Sequence, residues 1–159
     1  MKIHYSVLIV LVLALYTGTL IAFSIFFGCI ILHELGHLFF IKLFKQKVNK
    51  LNLTIFGGQL DCYIGSISVI KTILINSGGI MMNLLIIFLS RYIEGDYRVI
   101  IINYNYLLII FNILPIYPLD GYRILETLLI SIPVNLNFAI ITFISFVMVI
   151  LLGMYGIYL

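Results

Sequence analysis

The sequence predicts an all-α polytopic membrane protein of about five or six transmembrane helices, with a short membrane-associated β-hairpin near residues 51–65. Three observations carry that prediction. Hydrophobic residues make up 64% of the 159 and charged residues 9%, against roughly 25% charged in ordinary globular domains. The apolar residues come in runs of span length. Short stretches between the runs hold most of the charge. A chain this small cannot hide so much apolar surface from water, so lipid is its main solvent.

Apolar sequence begins directly after Met1-Lys2 and continues through residue 44. That is too long for one span of about 20 residues. Two helices fit it, with a turn near Thr17-Gly18-Thr19, and the first is read as an uncleaved span because no small-x-small cleavage site follows it. A basic stretch, KLFKQKVNK, occupies 42–50. In LNLTIFGGQLDCYIG, 51–65, apolar and polar residues partly alternate around Gly57-Gly58, which reads as a hairpin; an irregular loop is the alternative. Further spans are expected over about 72–92, 99–116 and 137–158. The piece 124–132 stops at Pro133 and is too short for a standard span. The whole of 1–159 reads as one transmembrane domain, with no repeat and no second soluble domain.

Charge orients the spans. Lys2, Lys42, Lys45, Lys47, Lys50, Lys71 and Arg123 share one side if the first four alternate, and only Arg91 and Arg98 fall on the other. The positive-inside rule then places the N-terminus and the 42–71 region in the cytoplasm of a multi-pass cell-membrane protein. A net charge of +3, without a basic patch interleaved with aromatics, gives no sign of a nucleic-acid partner. Cys29 and Cys62 lie in different segments and form no CxxC, so a disulfide framework is not indicated.

One stretch departs from the lipid-like pattern. CIILHELGHLFF, 29–40, sets His33, Glu34 and His37 among apolar residues. Histidines at i and i+4 share one helix face, and HExxH is a zinc-binding spacing in which the glutamate can address a water on the metal. An ionisable residue at membrane depth costs at least about 2.5–3.5 kcal/mol on insertion scales. Three such groups together need partners. A metal supplies them; hydrogen bonds to neighbouring helices are the plainer alternative.

A catalytic zinc takes three protein ligands and leaves one position open. The remaining candidates are His4, Asp61, Glu94, Asp96, Asp120, Glu126 and Cys29. Cys29 and His37 are eight residues apart, about 12 Å along a helix, so one ion cannot hold both with His33 between them. Cys29 reads better as a packing residue. Glu94 and Asp96 belong to the opposite side of the membrane. Asp120 fits best, because it follows a span ending on the same side as the HExxH helix, and Pro118 and Gly121 break regular helix around it. The alternative there is a helix N-cap.

HELGH (33–37) followed by NILPIYPLDGYRI (112–124) resembles the site-2 proteases, the intramembrane zinc metalloproteases. FGG (56–58) is similar to that family's membrane-associated hairpin, and SGG (77–79) resembles its small-residue AGP element with glycine where proline is usual. Asn83 is out of register with the asparagine that often follows, and Tyr122 replaces a common second glycine after LDG. KIH (2–4), FGG and LPIYPLDG (114–121) look most like the sporulation-type bacterial members. Those cleave a membrane-tethered pro-sigma factor and commonly carry a C-terminal CBS-type domain, which is not expected here.

The resemblance implies one Zn²⁺ held by His33, His37 and Asp120, with Glu34 as the catalytic acid/base. It also implies hydrolysis of a peptide bond in a membrane-tethered or transmembrane protein substrate, with a membrane regulator or a second copy as further partners. Asn112 would hydrogen-bond substrate backbone, or else serve as a helix-packing amide. The rival functions are an inactive protease-like membrane scaffold and a metal-binding transporter.

Overall fold

The computed structural model describes residues 2–3, 14–46, 48–54, 57–62, 68–129 and 133–158. His4 and most of the expected first span lie outside them. Ala14–Tyr16 are the helical end of that span. The chain then turns where the sequence places a turn. Gly18 adopts φ +71°, and the Thr19 amide donates to the Ala14 carbonyl at 2.9 Å. This is the left-handed stop that glycine makes at a helix end.

Helix α1 (Leu20–Leu43) carries the HExxH stretch. Its 24 residues rise about 36 Å, enough to cross a hydrocarbon core of about 30 Å. It ends by the same device as the preceding helix, with Lys45 at φ 55° and the Gln46 amide on the Ile41 carbonyl at 2.9 Å.

A small three-stranded sheet follows. Strand β1 (Lys2–Ile3) runs parallel to β2 (Val48–Thr54), which pairs antiparallel with β3 (Gly57–Cys62). Leu53 faces Gly58 and Thr54 faces Gly57, and the register shifts once between Val48 and Lys50. The sequence predicts no strand at residues 2–3. Two residues carry no alternation to read, and their partner lies some fifty positions away, so β1 had no local signal.

Helix α2 (Val69–Leu89) continues into a 3₁₀ turn, Ser90–Tyr92. After Gly95, at φ +83°, comes α3 (Asp96–Ile113). A short α4 (Asp120–Leu128) and a long α5 (Val134–Tyr158) complete the fold. The expected spans over 72–92, 99–116 and 137–158 correspond to α2, α3 and α5. The 124–132 piece begins earlier than expected, at Asp120, and has nine residues. That is about 13 Å of helix, too short to cross. By length and apolarity, Leu20–Leu43 and Val69–Tyr92 are each able to span a membrane, and Leu136–Ile150 is a shorter apolar helix.

Helix α2 is the centre of the arrangement, touching α1, α3 and α4. The distribution of side chains is the reverse of a water-soluble protein. His33, Glu34 and His37 are 4–6% exposed, and Asn83 and Asn105 are fully buried. Phe39 and Phe143 are 59% and 67% exposed, and Leu84, Phe88 and Ile110 also face outward. Apolar side chains outside and polar ones inside suit a lipid surround. A helical bundle also satisfies its backbone groups internally, as lipid requires.

Candidate metal centre

His33 and His37 share the inward face of α1, one turn apart, with ring centroids 4.9 Å apart. Their Nε2 atoms lie 3.2 Å from each other. Asp120 completes the group from the start of α4, with Oδ2 3.2 Å from each Nε2. The sequence left open whether Asp120 caps a helix. Leu119 is the N-cap, no side chain bonds there, and Asp120 is the first helical residue, turned toward α1.

Local sequence explains how Asp120 gets there. After α3 ends, the Ile116 amide donates to the Leu114 carbonyl and the Leu119 amide to the Ile116 carbonyl, each at 2.8 Å. These turns fold LPIYPLDG tightly back. Gly121 then lies against the last carbonyls of α3: a Cβ there would collide with the carbonyls of Ile113 and Leu114. From α5, the Ser145 hydroxyl donates to the Pro115 carbonyl at 2.6 Å and ties the loop down.

Helix α2 shapes the opposite wall. A Cβ on Gly79 would strike both imidazoles, so glycine is what makes room for them. His37 Nδ1 donates to the Ile75 carbonyl at 2.8 Å. A carbonyl only accepts, so Nδ1 carries a proton, and Nε2 faces Asp120. His33 Nδ1 is 3.0 Å from the amide of Asn83.

The donor set fits a metal ion. Among the described residues, His33, His37 and Asp120 are the group whose ligand atoms converge, all within 4.8 Å. Two imidazoles and a carboxylate make a three-ligand set that leaves one position open, as catalytic zinc uses. Ligand atoms about 2.0–2.1 Å from a tetrahedral zinc sit about 3.3 Å apart, close to the 3.2 Å found for all three pairs. Asp120 Oδ2 is buried and makes no conventional hydrogen bond, so it is available as a donor.

The other candidates stand elsewhere. Glu94 lies in the turn before α3, Asp96 is the first residue of α3, and Glu126 is exposed on α4. Asp61 is on β3. Cys29 is buried one turn before His33 and accepts a hydrogen bond from Asn105 Nδ2 at 3.3 Å, outside the converging group. Asn112 Nδ2 donates to the Leu108 carbonyl of its own helix at 2.9 Å. Glu34 is buried beside His33.

Two residues were missed by sequence reading alone. Asn83 was set aside as out of register, yet it is buried against His33. An asparagine four residues after SGG, in an otherwise apolar run, is the available signal. Ser145 gave no signal, because its partner is a backbone carbonyl thirty residues away.

No protein-family model matches the sequence. No curated protein matches it either. Among solved structures, the site-2 protease from Methanocaldococcus jannaschii is similar, with a TM-score of 0.70 and 20% identity over 98% of this chain and 79% of that one. The likeness is one of fold: this chain has the helical architecture of that membrane protease along nearly its whole length.

Proposed function

We propose that this chain is an intramembrane zinc metalloprotease of the site-2 protease type. The observation that carries the proposal is the convergence of His33, His37 and Asp120 inside a lipid-facing helical shell. The shared fold with a solved site-2 protease supports it.

His33, His37 and Asp120 would hold the ion. When bound, zinc polarises a carbonyl and lowers the pKa of a water toward 7. Glu34 takes the proton from the attacking water and returns it to the leaving amine as the peptide bond breaks. Exposed apolar side chains on α1, α2 and α3 keep the surround in lipid. The substrate is a membrane-tethered or transmembrane protein, because a buried centre is reached most directly from the bilayer.

A helical substrate hides its peptide bonds and must unwind before it is cut. Addition of the opened segment to β3 as an extra strand would hold it extended. A pro-sigma factor is the substrate suggested by the likeness of KIH, FGG and LPIYPLDG to the sporulation-type members.

The test is zinc content and proteolysis together. Purified protein should carry about one zinc and cleave a membrane-tethered substrate near its cytoplasmic end. Full zinc loading with no cleavage of any tethered substrate would favour the inactive scaffold. Absence of zinc after loading would remove the metalloprotease reading.

A further inference from the structure

We propose that Asn83 is a positioning residue that fixes the tautomer of His33 by accepting a hydrogen bond from its Nδ1–H. The inference rests on the metal-centre reading above and adds a residue to it. Asn83 is fully buried on α2, and one end of its amide lies 3.0 Å from His33 Nδ1. With nitrogen placed at that end, the amide oxygen is left buried with no partner.

An amide's oxygen and nitrogen are nearly indistinguishable in shape, so the hydrogen bonds must decide which end faces the ring. There are two arrangements. If the NH₂ faces the ring, His33 Nδ1 must accept, and the ring proton moves to Nε2. That proton would point into the space shared by His37 Nε2 and Asp120 Oδ2, both 3.2 Å away. It would occupy the lone pair that a metal needs. If the oxygen faces the ring, Nδ1 donates to it and Nε2 keeps its lone pair.

His37 shows which arrangement the site is built for. Its Nδ1 donates to the Ile75 carbonyl, an acceptor that cannot be reversed. Turning Asn83 so that its oxygen meets Nδ1 gives His33 the matching tautomer. Both Nε2 atoms then face Asp120 as lone pairs. Ile75 and Asn83 lie on the same helix, eight residues apart, so α2 supplies the acceptor for each ring. Acceptors of this kind hold a metal-bound imidazole in place, and losing one typically costs 10–100-fold in affinity.

Asparagine to aspartate separates the two arrangements, because a carboxylate can only accept. Zinc affinity is measured on the purified full chain in detergent against a competing chelator. Asn83→Ala and the near-isosteric Asn83→Leu should bind zinc about 10–100-fold more weakly, while Asn83→Asp stays close to wild type. Wild-type affinity in both Asn83→Ala and Asn83→Leu would overturn the inference and leave the metal centre standing. Loss in Asn83→Asp equal to that in Asn83→Leu would show that the amide donates and overturn it also. A wild-type protein that takes up no zinc would overturn both readings.

Discussion

Gly36 on α1 and Gly78 on α2 meet backbone to backbone. A Cβ on Gly78 would lie 2.6 Å from the Gly36 carbonyl oxygen, and one on Gly36 would collide with the Gly78 carbonyl in return. Lipid gives helices no hydrophobic reason to associate, so close approach through small residues does that work. Here the crossing lies between His33 and His37 in the chain. It brings Ile75, Gly79 and Asn83 of α2 against the two imidazoles.

Gly79→Ala is therefore expected to weaken zinc binding at least ten-fold with helix content retained. The added methyl meets the ring atoms that face the metal position. Overpacking costs about 1–3 kcal/mol, and here the rings must move to relieve it. Gly36→Ala and Gly78→Ala meet backbone instead and should lower thermal stability more. Zinc titration with circular dichroism in detergent distinguishes the cases. A Gly79→Ala protein with wild-type affinity would show that the rings have room to spare.

Glu34→Gln should cut proteolysis by about 10²–10⁴-fold, the usual contribution of a general base, while zinc content stays near wild type. Glutamine keeps the size of the side chain but cannot take the proton. Turnover undiminished in this variant would remove Glu34 from the chemistry.

Asp120→Ala should lose zinc far more than Glu126→Ala or Asp61→Ala. Asp120 Oδ2 is the carboxylate oxygen that meets both Nε2 atoms, whereas Glu126 is exposed. Metal analysis of the three variants checks it. If Asp120→Ala keeps its zinc, His4 becomes the next ligand to test.

Much of this site could be read from the chain because its signals are local. The i, i+4 pair His33 and His37 stands out against apolar flanks, and Asp120 sits between a proline and a glycine that break helix. The long helices were legible because they are long apolar runs, the kind that lipid demands. What could not be read depends on contacts across the fold. Asn83 and Ser145 each look like a polar interruption in a span, and only the packing of α2 on α1 and of α5 on the 114–119 loop gives them partners. Strand β1 escaped notice for the same reason, since a parallel pairing with Asn52 and Leu53 leaves no trace at Lys2 and Ile3.

Ser145→Ala should weaken zinc binding by about two- to ten-fold. The hydroxyl holds the Pro115 carbonyl at 2.6 Å, and a hydrogen bond of this kind contributes about 0.5–1.5 kcal/mol. The loop it restrains leads directly to Asp120. The loss should be smaller than in Asp120→Ala and should leave helix content unchanged. Equal zinc affinity in Ser145→Ala and wild type would show that Gly121 and the turns of the loop are sufficient.

The metal centre should lie inside the membrane, toward the cytoplasmic face. His37 precedes Lys42 by five residues, about 7–8 Å of helix rise, and Lys42 stands in the last turn of α1. Lys45, Lys47 and Lys50 follow at once. With these lysines at headgroup level on the cytoplasmic side, as the positive-inside rule expects, His33 and His37 would lie one to three turns below it. Asp120 comes from the same side, three residues before Arg123. Single cysteines at 45–50 should therefore label from the cytoplasmic side, and cysteines at Glu94 or Asp96 from the other. The background requires Cys29→Ser and Cys62→Ser, serine at 29 being chosen to keep an acceptor for the Asn105 amide. Labelling of 45–50 from the extracytoplasmic side alone would reverse the orientation. Substrates would then be cut near the opposite membrane face.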